Sequence, residues 1–284
     1  MTLNIRNKIG VLLCLALFAH PSQLLALESE PRLDNVRSAA VGAGFEVSRG
    51  DYGTGADATL VTMPLSIFLY PAEKLDVTLE IPFLYMSSKS GSGVIVTHSG
   101  GAGRGRSAST SMTATTTTTT TTVQESGIGD INMTTGWTLL PDREGTPKVR
   151  PTFYLKAPSG DLNRGLGTGT VEVGPGLSVS KWLGNVQLFG EGAYIFQSSK
   201  SDYSGRNYVS YLGGAGIQAT ERLYVSALAK GSSARSEGAE AQAEGRLRMS
   251  FMQSRLISWE IYGSAGFTNA SPDFGGGMMM IYQF

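Results

Sequence analysis

Several long segments of this chain alternate apolar and polar residues at every second position. Ala241, Ala243, Gly245, Leu247, Met249 and Phe251 interleave with Gln242, Glu244, Arg246, Arg248 and Ser250. Leu75, Val77, Leu79, Ile81, Phe83 and Tyr85 interleave with Asp76, Thr78, Glu80 and Pro82, and Val149–Ala157 repeats the pattern around Arg150, Tyr154 and Lys156. Successive side chains of a strand point to opposite faces, so this spacing gathers the charges on one face and the apolar groups on the other. A helix would put Arg246 and Arg248 on different faces and break the apolar stripe. The same reading places twelve strands near 37–48, 58–70, 74–86, 127–140, 148–157, 169–182, 186–198, 207–218, 222–233, 241–252, 256–267 and 274–284. Each is about ten to fourteen residues, enough for a tilted strand to cross a bilayer and more than most soluble strands have. Beyond Ala26 no apolar stretch is long enough for a spanning helix. A membrane barrel, whose strands are only half apolar, is still open to such a chain.

The connections alternate short and long. Short links are read at 71–73, 141–147, 183–185, 220–221 and 253–255, and longer polar loops at 50–57, 87–126, 158–168, 199–206, 234–240 and 268–273. An even strand count with both termini at the short-turn end is the topology of bacterial outer-membrane barrels. Trp137, Trp182 and Trp259 lie near short turns, while Tyr85, Tyr194, Phe196, Phe267 and Phe274 mark the opposite ends. Two such rings are expected to form interfacial girdles. Counting back from Phe284, Tyr282, Met280 and Met278 are apolar at every second place. This resembles the closing strand of Gram-negative outer-membrane barrels, which the barrel-insertion machinery engages. In a closed barrel the last strand pairs with the first and leaves no free edge.

At the other end, Arg6 and Lys8 precede the apolar run Ile9–Ala19, which has the length of a signal-peptide core. Cleavage after Ala26 makes 1–26 a signal peptide and 27–36 a short periplasmic or lumen lead. Residues 37–284 are then one barrel domain with a low-complexity extracellular loop at 87–126. That loop carries Gly100–Arg106 and the threonine run Thr115–Thr122, a composition expected to be mobile rather than packed. Its two arginines read as part of a solvated loop, not an RNA-binding tail. Removing Arg6 and Lys8 from the 23 Lys and Arg leaves 21 against 23 Asp and Glu, which gives no net field to attract nucleic acid.

Composition also bounds the chemistry. The single cysteine, Cys14, lies in the signal core, so the mature chain has no thiolate or disulfide. Its one histidine, His98, sits in the low-complexity loop, a poor place to hold catalytic geometry. No catalytic residue, metal cluster or cofactor motif is expected. Gly165-Leu166-Gly167-Thr168-Gly169 lacks the lysine and the strand-to-helix context of a phosphate loop, and it reads as a turn.

The predicted inward face is mixed. Glu46, Asp76, Glu80, Asp130, Glu172, Glu191, Glu244 and Glu260 share it with Arg150, Lys156, Lys230, Arg246 and Arg248. Mixed charge across a narrow lumen favours cross-lumen pairs and a constricted interior. Lys156, Arg150, Arg246 and Arg248 against Glu191 and Glu244 are the candidate permeation residues. Tyr154, Tyr224 and Tyr262, with Phe68, Phe189 and Met279, add apolar surface on which a hydrophobic solute could rest. Mutual neutralisation of the charges is an equally good account of them.

Three blocks carry a further resemblance: Gly127-Ile128-Gly129-Asp130-Ile131, Leu155-Lys156-Ala157-Pro158-Ser159-Gly160-Asp161, and Gly165-Leu166-Gly167-Thr168-Gly169. Over roughly 125–200 the chain resembles the outer-membrane proteins linked to meta-pathway phenol and aromatic degradation. The resemblance implies a channel or transporter for hydrophobic compounds. The threonine-rich loop departs from that pattern. The expectation is therefore an all-β, antiparallel, up-and-down transmembrane barrel of about twelve strands in the cell outer membrane. Its partners are lipid and a small hydrophobic solute, and its function is passive uptake of small hydrophobic or aromatic compounds. A structural or adhesive surface barrel is the second class, and a barrel enzyme the third.

Overall fold

In the computed structural model, residues 39–52, 57–88, 92–99, 109–116, 123–198 and 205–284 are described. The expected signal peptide, 1–26, and the expected lead, 27–36, lie outside them. The strands are β1 (Ala39–Gly50), β2 (Ala58–Ala72), β3 (Leu75–Ser88), β4 (Ser92–Ser99), β5 (Ser109–Thr116), β6 (Val123–Ile128), β7 (Ile131–Trp137), β8 (Lys148–Ala157), β9 (Glu172–Leu183), β10 (Val186–Gln197), β11 (Tyr208–Thr220), β12 (Leu223–Ser232), β13 (Gln242–Met252), β14 (Ile257–Gly266) and β15 (Phe274–Gln283).

β6 and β7 are one wall strand with an interruption. Phe83 of β3 pairs with Ile128, but Glu80 pairs with Asn132. Three steps on β3 thus face four on the partner. The extra residue is a bulge at Gly129–Asp130, which switches the face that odd and even residues present. With this pair counted once and β4 and β5 set aside, the wall has the twelve expected strands. It is antiparallel throughout and closes on itself: β1 pairs with β2 and β15, and β2 with β3. Closure satisfies the backbone groups that no water would reach in a bilayer. Phe284 takes part, donating its amide to the Ala39 carbonyl at 3.0 Å.

The faces follow the alternation and are inverted relative to a soluble protein. Leu65, Phe83, Phe153, Leu177, Leu188, Leu247 and Ile261 are exposed on the outside. Glu46, Asp76, Arg150, Lys156, Glu172, Glu244, Arg246 and Arg248 are buried inside. An apolar exterior this continuous belongs in lipid. The structure corrects the girdle at one position. Trp137 and Trp259 face outward as expected, but Trp182 shares a face of β9 with Glu172 and meets Tyr224 edge-on in the lumen, ring centroids 6.0 Å apart. Nearness to a turn does not set the face; parity along the strand does.

The low-complexity loop also differs from expectation. β4 and β5 pair as a separate two-stranded hairpin, with Val94 opposite Ala114 and Val96 opposite Met112. Its strands are rich in threonine, valine and isoleucine, which suit a pleated ladder. The Gly100–Arg106 segment and most of the threonine run lie outside the described residues.

Candidate functional site

Two clusters of inward groups divide the lumen. The first sits at the long-loop end, on the wall formed by β6 to β11. Lys156 of β8 is wholly buried, with its ammonium 3.2 Å from Asp130 and 2.5 Å from Glu172. It also donates to the Thr168 hydroxyl. Asp130, turned inward at the bulge, accepts from the Gly160 and Thr168 amides, each at 3.0 Å. Glu172 accepts from the Tyr208 hydroxyl at 2.7 Å and from Gln197 at 3.0 Å. Nearly every polar atom of this knot has a partner, as buried charges require.

The knot holds the β8–β9 loop inside the barrel mouth. A short 3-10 turn, Leu162–Arg164, is capped by Asp161 and ends on Gly165, whose positive φ of 70° suits glycine. Arg164 pairs with Glu125 at 2.7 Å. Leu166 then enters an apolar cluster with Tyr52, Ala58, Leu60, Leu84 and Met86. Gly167 allows the close approach, since a Cβ there would stand 2.3 Å from an Asp130 oxygen and 2.9 Å from the Gly160 Cα. The three sequence blocks around Gly127, Lys156 and Gly165 therefore meet in one place. Reading Gly165–Gly169 as a plain turn missed this. The available signal was a set of glycines flanking an isolated leucine beside acidic and basic residues destined for the lumen.

The second cluster lies on the opposite wall. Arg246 of β13 bonds Glu244 at 2.8 Å, reaches over β14 and β15 to Glu46 at 3.4 Å, and stacks on the Tyr262 ring with 4.2 Å to its centroid. Lys230 approaches Glu244 at 3.3 Å and Arg248 approaches Glu260 at 3.6 Å. Apart from the Arg246–Glu244 pair, these contacts are longer than the 3.2 and 2.5 Å of Lys156 in the knot. At the short-turn end Arg150 makes a two-pronged pair with Asp76, and the arginine fills the space over Gly136. Tyr154 bonds Asn132 at 2.7 Å in the first cluster.

The eight candidate residues thus separate. Arg246, Glu244, Arg248 and Tyr262 share one wall. Lys156 and Tyr154 belong to the knot, Arg150 to the Asp76 pair, and Glu191 to the half-buried inner face of β10. Lys156 is joined to Asp130 and Glu172, not to Glu191 or Glu244, because β8 lies beside β7 and β9. Among the described residues no group of His, Cys, Asp and Glu has the arrangement of a metal centre.

Similar folds occur among solved outer-membrane proteins. An outer-membrane channel from Pseudomonas putida F1 matches with a TM-score of 0.63 at 14% identity, over 94% of this chain and 100% of that one. The KdgM porin in complex with oligogalacturonate matches at 0.51 and 8%, over 86% and 99%. The translocator domain of the autotransporter NalP from Neisseria meningitidis matches at 0.50 and 12%, over 88% and 90%. At such identities the likeness speaks for the fold, which with the apolar exterior places the protein in the outer membrane. No curated protein matches the sequence. A family model does: the one described as "Putative MetA-pathway of phenol degradation" covers residues 48–228 and so takes in the bulge, the knot and the inserted loop, and the chain belongs to that family.

Proposed function

We propose that this barrel is a channel for passive passage of small hydrophobic or aromatic molecules across the outer membrane. One observation carries this reading: each inward arginine and lysine of the candidate set lies against a carboxylate, while Phe68, Phe189, Tyr262 and Met279 are buried on the same inner face. A lumen of that kind offers an apolar ledge to a neutral solute. Membership in a family tied by its description to phenol degradation supports the same class of solute, and the likeness to an outer-membrane channel supports the barrel fold. Among the described residues the inward arginines and lysines are held against carboxylates, as in a wall built for structure and passage, which favours a channel over a barrel enzyme.

In this reading Arg246, Arg248, Glu244, Glu191 and Tyr262 line the path, Arg150 stiffens its short-turn end, and Lys156 with Tyr154 fixes the loop that narrows the mouth. The test is uptake of a radiolabelled neutral aromatic by cells with and without the protein. Faster uptake with the protein is expected. Equal uptake would leave a structural surface barrel instead.

We further propose that β15 is what the insertion machinery engages. Tyr282 and Phe284 are exposed outside the wall with their rings 5.2 Å apart. Replacing both by serine should lower the amount of folded, heat-modifiable protein in the outer membrane. An unchanged amount would remove these rings from that role.

A further inference from the structure

The β8–β9 loop is fastened to the barrel in two different ways. Its base is pinned at both ends to the bulge of the interrupted β6–β7 strand. Asp130 accepts from the Gly160 and Thr168 amides, while Ser159 donates to the Gly129 carbonyl at 2.8 Å and accepts from the Ile131 amide at 2.9 Å. The segment between these pins closes on itself. The Gly165 amide donates to the Leu162 carbonyl at 3.0 Å, the Leu166 amide to the Asp161 carbonyl at 2.9 Å, and the Asn163 amide to the Asp161 carboxylate at 2.9 Å. With those bonds internal, 161–167 can swing as one body without breaking them.

Two side chains tie this segment to the wall. Arg164 is exposed, pairs with Glu125 at 2.7 Å and donates to the Ser126 carbonyl at 2.9 Å. An ion pair open to water adds little. Leu166 is buried in a pocket of Tyr52, Ala58, Leu60, Leu84 and Met86, above Gly127, where a Cβ would stand 2.9 Å from the leucine Cδ1. Tyr52 comes from the β1–β2 loop and, among the described residues, is the one non-glycine with a positive φ, 49°. Such a backbone persists where its surroundings hold it. Here a hydrogen bond shared with the Ser48 hydroxyl at 3.0 Å and the cluster around Leu166 do so. The two fastenings differ in what release costs. Undoing the base would strip the buried Asp130 carboxylate of its amide donors, whereas lifting Leu166 exposes apolar surface with no charge in it.

We propose that 161–167 is a flap over the mouth, hinged on the Asp130 pins and latched by Leu166 in the pocket it shares with Tyr52, and that a solute passes when this latch is released. The proposal rests on the channel reading and adds a gate to it.

The test uses the folded, purified full-length barrel, first in detergent and then in planar bilayers. Arg164 places a trypsin site inside the flap, and cleavage after it requires the segment to leave the wall and extend. Where opening and closing are fast, the cleavage rate reads the open population. Leu166→Ala should raise that rate about 10–100-fold, the loss of most of one leucine's burial. Gly127→Ala crowds the tip of Leu166 and should act in the same direction. Glu125→Gln should raise the rate only about 2–3-fold, because its ion pair is exposed. In bilayers, Leu166→Ala should lengthen residence in a higher-conductance level by at least tenfold. Heat-modifiable gel mobility confirms that each variant is folded, and Gly127→Ala decides should Leu166→Ala not fold. A cleavage rate at Arg164 that ignores both variants overturns the latch. Faster cleavage with unchanged conductance overturns the gate and leaves the channel standing. No protein-dependent conductance or uptake in any variant, with cleavage still responding to Leu166→Ala, removes the channel itself and the gate with it.

Discussion

The two walls of this lumen hold similar residues in different ways. Around Lys156 an ammonium, two carboxylates, two threonines, a glutamine and a tyrosine interlock, and the loop that carries Leu166 is tied in with them. Around Arg246 one pair, with Glu244, is 2.8 Å, but the contacts of Lys230 with Glu244, Arg246 with Glu46 and Arg248 with Glu260 stretch to 3.3–3.6 Å, and the arginine rests on the Tyr262 ring. The difference teaches that a charge in a lumen is not by itself a permeation residue. A tightly interlocked cluster fixes structure, and one held by longer contacts can yield to a solute.

The sharpest way to break this comparison is to remove the centre of the knot. Lys156→Ala leaves Asp130 and Glu172 buried without their cation and should destabilise by about 3–5 kcal/mol. Denaturant titration of folding into lipid vesicles measures it. The same substitution at Lys230, on the looser wall, should cost clearly less, and equal costs would erase the distinction.

A smaller effect tests the faces of β13. Leu247→Arg should cost about 2–4 kcal/mol if the position lies near the bilayer midplane. A cost no greater than that of Arg248→Leu in the same titration would mean the register is wrong.

Next comes the loop. Gly167→Val drives a side chain into Asp130 and the Gly160 backbone and should cost about 1–3 kcal/mol. Freed from the knot, the loop should narrow the mouth less, so single-channel conductance in a planar bilayer should rise. Unchanged conductance would deny the loop its role as a constriction.

The smallest expected cost is at Arg248, which stands 3.6 Å from Glu260. Arg248→Leu should destabilise by about 1 kcal/mol, the scale of one hydrogen bond. It should nevertheless shift ion selectivity towards cations, because it removes a positive charge from the lumen wall. Reversal-potential measurements check the shift. A large loss of stability without altered selectivity would move Arg248 into the structural class.

The amino-acid sequence by itself determined the strands, their faces and the closure of the barrel. Leu247 outside and Arg248 inside follow from a period of two, because a strand allows no other way to separate apolar from charged groups. The strand boundaries read from alternation agree with the wall to within a few residues, and Phe284 lies where the closing strand ends. Site membership was only partly legible. All eight candidate residues were assigned to the inner face, yet which charge meets which depends on strand neighbours and stagger, which alternation does not encode. Trp182 turned inward by parity alone. The Asp130 bulge, the entry of Leu166 into the mouth, and the reach of Arg246 to Glu46 were decided by tertiary structure. Each joins residues far apart in sequence through hydrogen bonds and close glycine contacts, and such contacts exist only once the sheet has curled and closed.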